Sequence, residues 1–504
     1  MIGPVSVLQA ADGDAPDVRA ILDALAAQFT VDGGPVEVVH CARLDTFDHR
    51  LCAADLTLTH RRGAAGEQLV LGRADRSSVA AAAVSGARWP ALALALPSGP
   101  LRDAVGAATG IRALMVVSDQ QRHQRRLDLR DRRAKVVVRL ELDEPAAGAA
   151  GAVQVRVHAL TGYGAEAKRA AALLTGLGLR ALTREDCAPA PRESRAGEQV
   201  TRHTPVALLL AQVLGGFLEA MHENLPGVLD DVDTEFLHDF RVAVRRTRST
   251  LKLARPALPE TMRTRWEPEF KWLGDLTTPV RDLDVYELDL PEMGQWLVAA
   301  DPADLTHLQA HLRRRRTVQR RVLVRGLRSA RFTRLLEPWE HALADLARSG
   351  SPEAGPATAG ELSDDSIRRA HRRVVRAGAA VTDSSPPQRL HTLRKRCKEL
   401  RYALEVFAPV TDRSARKRAL ADLKALQDVL GRFQDCEVQR AALREFAHEM
   451  MTDGTPAEAV LAMGELIGHL DTEQQRARER FDGAFAQFTR PSSERRLRRL
   501  AGAR

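Results

Sequence analysis

The chain has 504 residues, which exceeds one ordinary domain, so we expect two or three domains. Hydrophobic residues make up 44% and aromatic residues 4%, which is enough for packed cores and favours helices joined through small and aliphatic side chains. The net charge of +9 remains after 66 acidic residues are counted, so the surplus cations must be clustered to bind an anion.

Targeting and redox features indicate a cytoplasmic protein. The N-terminus has no basic region ahead of an apolar one, and the longest apolar stretches are interrupted, so we predict neither a signal peptide nor a membrane span. The five cysteines have no metal-like spacing, and their odd number argues against a disulfide framework.

Residues 1–187 are predicted to form a mixed α and β domain. Apolar or alternating runs predict strands, and these runs are VEVVHCA, LTLTHRR, QLVLGR, KVVVRLELDE and VQVRVHAL. Helices are expected near Ala15 to Phe29 and after Gly164, where glycines end the second helix. Residues 188–205 lack periodicity and are rich in proline, arginine and serine, which predicts a linker.

Residues 206–504 show helical periodicity almost throughout. Breaks at prolines, among them Pro279 and Pro291, predict roughly eight helical segments of bundle length. The loop Ser349–Gly360 divides the region into halves at about 206–349 and 361–490, as an internal duplication requires.

Two segments, 153 residues apart, carry the same cationic pattern. At about 100° per residue, offsets of 0, 3, 7 and 10 fall on one helix face, so each segment predicts a basic ridge. The first ridge is His238, Arg241, Arg245 and Arg248, and the second is His391, Arg394, Lys398 and Arg401. The opposite faces are apolar and should pack inward, with Phe240, Val244, Thr247 and Leu251 matching Leu393, Cys397, Leu400 and Leu404.

The same offset relates Lys271 to Lys424 and Arg265 to Arg418. Helical residues one turn apart rise by about 5 Å, so a ridge suits a long polyanion with regularly spaced charges. The candidate binding residues are His238, Arg241, Arg245, Arg246, Arg248, Lys252, Lys271, Arg320, Arg321, His391, Arg394, Lys395, Lys398, Arg401 and Lys424. An anion raises the pKa of a nearby histidine, so binding should tighten below neutral pH.

Four acids share the repeat, with Asp282 matching Asp435 and Asp284 matching Glu437. We interpret them as helix caps or as groups that orient the facing arginines. A catalytic metal site is the weaker alternative, because carboxylates spaced i, i+2 do not share a helix face. No aromatic residue is interleaved within the ridges, which argues against recognition of single-stranded nucleic acid.

The segments HDFRVAVRRTRSTLKL, LGDLTTPVRDLDVY, LHTLRKRCKELRYALEVF and LQDVLGRFQDCEV resemble a CHAD domain in the right order, over roughly Val206 to Arg490. The resemblance implies an all-α domain of two pseudo-symmetric four-helix bundles that encloses a basic cavity. It also implies that the ligand is inorganic polyphosphate, and that the protein associates with polyphosphate granules.

The segment from Arg43 to Leu71 is similar to part of a CYTH domain, the triphosphate-tunnel fold, which implies an α+β domain built on an antiparallel β-barrel. The family's ExExK strand has no counterpart before Asp45, and Thr59 stands where the first tunnel arginine is expected, leaving Arg61 and Arg62. VQVRVHAL occupies the place of a second acidic strand. Cleaving a triphosphate requires carboxylates that hold Mg²⁺ or Mn²⁺, so we expect a degenerate domain without catalysis, metal or cofactor.

The sequence therefore predicts a non-enzymatic polyphosphate-binding protein. Its affinity should fall with salt and rise with chain length, because counterion release drives such binding. Two alternatives stay open: a triphosphatase acting on inorganic triphosphate or nucleotides, and a nucleic-acid-binding protein.

Overall fold

A computed structural model of the protein describes residues 2–10, 16–73, 78–146, 152–181, 200–348, 357–452 and 454–502. The chain divides into two units, Met1–Ser194 and Arg195–Arg504. Most of the predicted linker, residues 188–199, lies outside the described residues. The domain boundaries at 187 and 205 therefore stay a prediction.

The N-terminal unit is built on an antiparallel sheet, which in the part of the chain that the structure describes has nine strands. They are β1 (Ile2–Ala10), β2 (Thr30–Thr46), β3 (Leu56–Gly63), β4 (Gly66–Arg73), β5 (Ser78–Val84), β6 (Leu114–Arg130), β7 (Val136–Pro145), β8 (Gln154–Leu160) and β9 (Leu179–Ala181). Their order across the sheet is β5-β4-β3-β2-β6-β7-β8-β1-β9. The predicted α+β class and all five predicted strands are confirmed.

Four helices accompany this sheet: α1 (Val18–Ala26), α2 (Arg50–Ala53), α3 (Pro100–Thr109) and α4 (Gly164–Gly176). Helices α1 and α4 match the two predicted helices, and they bury Ile21 and Leu174 against the sheet. The DTFDHRL segment makes the turn from β2 into α2. There the buried Asp45 carboxylate accepts hydrogen bonds from the backbone N–H groups of Thr46, Leu51 and Cys52 at 2.7, 2.9 and 3.1 Å.

The sequence of strand β6 does not show the alternation of apolar and polar residues that predicts a strand. Its sequence, LMVVSDQQRHQRRLDLR, is polar over most of its length. Four alternating residues, Ser118, Gln120, Arg122 and Gln124, line a polar cavity rather than an apolar core. A strand whose inward face is polar carries no period-2 apolar signal, so β6 could not be predicted from that pattern.

The second unit is helical, as predicted. Its described α-helices are α5 (Val206–Asp230), α6 (Thr234–Leu253), α7 (Glu260–Gly294), α8 (Thr306–Leu327), α9 (Ala330–Arg348), α10 (Ala359–Ala379), α11 (Pro387–Val406), α12 (Arg413–Thr452), α13 (Ala457–Glu479), α14 (Phe481–Thr489) and α15 (Pro491–Leu500). Helices α5, α6, α9 and the start of α7 pack together, as do α10, α11, α14, α15 and the start of α12.

The duplication is present in the helix boundaries. Helix α11 begins and ends 153 residues after α6, and α10 and α12 begin 153 residues after α5 and α7. After α7 and α12 the helices of the two halves no longer correspond, because the second half ends in the short helices α14 and α15. The far ends of α7 and α12 share a core with α8 and α13, where Tyr286 and Leu312 belong to the same cluster as Phe446 and Leu466.

Helix α7 runs unbroken through Pro268, Pro279 and Pro291. The predicted breaks at Pro279 and Pro291 are therefore wrong. A proline inside a helix removes one backbone hydrogen bond and costs about 3 kcal/mol, but tertiary packing can offset this. The helix buries side chains on both sides of Pro279, including Leu273 and Leu283.

Helix α5 is the described helix that is long and apolar enough to cross a membrane, judged by length and composition alone. In this structure Leu210, Leu214 and Met221 are buried. The helix packs against α6 and α9, so its apolar face forms part of the core of the first half.

Candidate functional site

Helices α6 and α11 pack by one face, as the sequence predicts. The eight residues of their predicted apolar faces are each at most 1% exposed. They are Phe240, Val244, Thr247, Leu251, Leu393, Cys397, Leu400 and Leu404. Helix α6 starts at a defined cap, because the Asp233 carboxylate accepts the N–H groups of Glu235 and Phe236 at 2.9 and 3.2 Å. The buried faces fix the rotation of each helix, and the basic ridges consequently point away from the core.

A cavity of about 510 Å³ lies among α6, α10 and α11. Both halves of the duplication contribute to its wall. Its lining includes one carboxylate, Glu399, and seven cationic side chains, which are Arg245, Lys252, Arg255, Arg369, Arg373, Lys395 and Lys398. We name this the basic cavity.

Four of these cations form no ion pair with a carboxylate among the described residues, and they are Arg245, Lys252, Lys395 and Lys398. The rest of the wall is partly neutralised. Arg255 pairs with Glu267 at 2.8 Å, Arg369 pairs with Asp365 at 3.0 Å, and Glu399 accepts a hydrogen bond from Arg396 at 2.8 Å. The basic cavity therefore holds several positive charges that a bound anion could neutralise.

The two ridges approach each other at their centres. Burial, together with the positive charges of Arg394 and Arg245, lowers the pKa of Lys398 to about 8. Arg245 belongs to the first half and Lys398 to the second, so their repulsion acts between the halves. Close by, Glu405 accepts hydrogen bonds from Arg401 at 2.7 Å and from Arg246 across the halves at 3.3 Å.

Arg241 and Arg394 attach their ridges to the long helices. Arg241 donates hydrogen bonds to the hydroxyls of Thr277 and Thr278 at 3.0 and 2.8 Å, and burial lowers its pKa to about 10. Arg394 pairs with Asp435 at 3.1 Å. Arg241 remains charged at neutral pH. Each of these equivalent arginines already has a protein partner.

The two histidines have different surroundings. His391 Nδ1 lies 2.6 Å from the side-chain oxygen of Gln434, whose amide donates to Glu437 at 3.2 Å. His238 is half-buried, and burial, together with the charge of Arg281, lowers its pKa below the usual value. His391 thus braces a neighbouring helix, whereas His238 is neutral at neutral pH.

Two further predicted residues depend on helix α7. The Arg248 guanidinium crosses Gly274, where an added Cβ would lie 2.6 Å from its Nη1 atom, so this crossing needs a glycine. Asp284 is buried and binds Arg316 at 2.6 Å, and Arg316 also binds Asp231 at 2.7 Å. Asp284 therefore holds α8 to α7 instead of orienting a ridge arginine.

The structure does not bring the other four predicted residues to the basic cavity. Arg320 donates to the carbonyls of Val228 and Leu229 at 3.0 and 2.7 Å, which closes the end of α5, and Arg321 is exposed. Lys271 and Lys424 are exposed, and each forms an ion pair with the aspartate four residues later on its own helix. Lys271 pairs with Asp275 at 3.3 Å, and Lys424 pairs with Asp428 at 2.6 Å. Asp282, one of the four predicted acids, is exposed on α7, where its charge acts on the ridge residue Arg241.

Arg369 and Arg373 line the basic cavity from α10, and the sequence reasoning missed them. The repeat could not have found them, because the positions 153 residues earlier are Gly216 and Ala220. Their spacing of four residues, which places both on one helix face, is the signal that the sequence does contain.

Comparisons with known proteins agree with this architecture. The CHAD domain family model matches residues 212–444. An uncharacterized protein of Mycobacterium tuberculosis is 26% identical over 253 residues, which is 49% of this chain and 47% of that protein. The chain thus matches about half of the length of this curated relative.

Solved structures also match parts of the chain. The CHAD domain from the plant Ricinus communis has 24% identity and a TM-score of 0.48, covering 59% of this chain and 96% of that one. A Hippeastrum protein with a dominant triphosphatase activity has 14% identity and a TM-score of 0.24, covering 37% and 91%. Of these comparisons, the family model identifies a CHAD domain at residues 212–444, within the helical unit.

Proposed function

We propose that the helical unit binds inorganic polyphosphate in the basic cavity, without cleaving it. The observation that carries the proposal is the convergence of four cations that form no ion pair among the described residues, Arg245 and Lys252 from α6 and Lys395 and Lys398 from α11. A linear polyanion can contact both helices at once, whereas a single phosphate can neutralise only part of the wall. Granules of polyphosphate would then be a natural location for the protein.

The chemistry of the wall favours binding over cleavage. Within the described ranges, no group of three or more histidine, cysteine, aspartate or glutamate side chains is placed to hold a metal ion. The one carboxylate of the cavity, Glu399, is bonded to Arg396 and lies 3.6 Å from Arg373. Arginine and lysine side chains supply charge-assisted hydrogen bonds to phosphate oxygens.

The test is a calorimetric titration of the full chain with long-chain polyphosphate at several salt concentrations. For a flexible polyanion, each contact contributes about 0.7 to the slope of log affinity against log salt. The double variant Arg245→Ala/Lys398→Ala should lower that slope by about 1.4, which corresponds to about 25-fold weaker binding at 0.1 M salt. Arg325→Ala/Arg328→Ala is the matched control, because it removes two exposed arginines, one in the last turn of α8 and one directly after it.

Two results would contradict the proposal. The first is an unchanged affinity in Arg245→Ala/Lys398→Ala when the control variant is also unchanged. The second is displacement of long-chain polyphosphate by duplex DNA or RNA at equal phosphate concentration, which would favour the nucleic-acid alternative.

A further inference from the structure

The N-terminal sheet curves around a polar tunnel. One cavity of about 490 Å³ is lined by residues of eight strands, from Gln9 on β1 to His158 on β8. A second cavity of about 710 Å³ shares Arg61, Gln68, Gln124 and Glu141 with the first, so the two adjoin. This tunnel lies wholly within the N-terminal unit and takes no part in the polyphosphate site proposed above.

Cations outnumber acids in the tunnel. Four arginines line the first cavity, Arg43, Arg61, Arg122 and Arg156, against the two carboxylates Glu141 and Asp143. Both carboxylates are occupied. Glu141 lies 3.2 Å from Arg156 and 3.6 Å from His158, and these contacts hold its pKa well below the usual range.

Asp143 is paired still more closely. It is 4% exposed and forms an ion pair with the Nε group of Arg122, which is itself buried. Arg122 also donates to the backbone carbonyls of Asp143 and Ala152 at 3.1 and 2.9 Å. The Arg122–Asp143 pair is thus a fixed part of the wall, and neither partner can turn away cheaply.

The CYTH fold implies a divalent metal held by carboxylates, and this lining does not fit one. Mg²⁺ and Mn²⁺ take oxygen ligands and favour carboxylates, but in the first cavity a metal would have to displace a guanidinium group from each of the two acids, Glu141 and Asp143. Strand β8 presents Gln154 and Arg156 where the family's second acidic strand is expected. The lining instead includes five neutral amides, those of Gln9, Gln68, Gln120, Gln124 and Gln154.

We propose that the tunnel binds a small, multiply charged oxyanion of the di- or triphosphate class directly, without a divalent metal. Arginine and amide N–H groups are donors, so they can contact phosphate oxygens where a metal would otherwise bridge them. Arg61 already donates to the Gln124 side chain, and Gln124 donates to Asp143 at 3.1 Å, which holds both groups at the junction of the two cavities. The ligand is bound and not cleaved.

The experiment titrates the full chain with inorganic tripolyphosphate in EDTA and again with excess Mg²⁺. We expect binding in EDTA, and weaker binding with Mg²⁺, because the metal neutralises the ligand. Arg61→Gln should weaken binding in EDTA by about fivefold or more, as expected for one lost phosphate contact at 0.1 M salt. Arg130→Gln is the matched control, since Arg130 lies on the same sheet but pairs with the exposed Asp32 at 3.0 Å.

Two arms separate this proposal from the polyphosphate site. Arg61→Gln should leave the binding of long-chain polyphosphate unchanged, and Arg245→Ala/Lys398→Ala should leave the binding of tripolyphosphate unchanged. Measurements on the wild type alone can overturn the proposal. Either tripolyphosphate binding that requires Mg²⁺, or release of phosphate when Mg²⁺ or Mn²⁺ is added, would do so. Equal affinity of the wild type and Arg61→Gln for tripolyphosphate would overturn the placement of the ligand beside Arg61.

Discussion

If polyphosphate binds in the basic cavity as proposed, Lys398 should make this binding sensitive to alkaline pH. Burial and the charges of Arg394 and Arg245 lower its pKa to about 8, so that its charged fraction falls from about nine tenths at pH 7 to about one tenth at pH 9. A bound phosphate favours the charged form and raises this pKa again. The contact is therefore fully present below about pH 8 and is lost as pH rises above it.

The magnitude follows from the loss of one phosphate contact. At 0.1 M salt this weakens binding by about fivefold and lowers the salt slope by about 0.7. Calorimetric titrations of the full chain at pH 7, 8 and 9 measure both quantities. Lys398→Arg is the control, because a guanidinium stays charged throughout this range and its affinity should be nearly constant. The same alkaline loss in Lys398→Arg, or no loss in the wild type, would refute the reasoning.

Two further predictions concern charges that already have partners. Lys271→Ala/Lys424→Ala should weaken polyphosphate binding less than Arg245→Ala/Lys398→Ala does in the same titration. The reason is that each exposed ammonium already faces an aspartate on its own helix. A larger loss of affinity than in Arg245→Ala/Lys398→Ala would place these lysines in the site. Asp284→Asn should lower the free energy of unfolding by about 3 kcal/mol in urea denaturation, because it breaks a buried pair, whereas Asp275→Asn at the surface should cost less than about 1 kcal/mol. Equal costs would contradict the buried role of Asp284.

The sequence predicts the helices of the site well, because their signal is local. The apolar face of α6 recurs with the helical period, and the identical register 153 residues later predicts α11. Packing confirms this, since Phe240 and Leu393 are both fully buried. The prolines of α7 mislead for the opposite reason. Whether a helix continues through Pro279 depends on contacts with other helices, which a local pattern does not contain.

The role of each cation is much harder to predict. Arg320 and Arg245 are both arginines on helices, but one closes the end of α5 and the other lines the basic cavity. The difference depends on which carbonyls and carboxylates lie within reach after folding. Strand β6 poses the same problem, because its polar residues face a polar tunnel and mimic an exposed segment.

The duplication itself explains how the basic cavity is arranged. Arg245 and Lys398 occupy equivalent positions, and equivalent residues of two pseudo-symmetric halves can meet only near the axis that relates the halves. Away from this centre the symmetry fails, because Lys395 corresponds to Val242 and Arg373 to Ala220. Of the five additional cations, Lys252 and Arg255 lie on the first half, and Arg369, Arg373 and Lys395 lie on the second half. A polyphosphate chain that crosses the central pair should extend further along α10 than along α5.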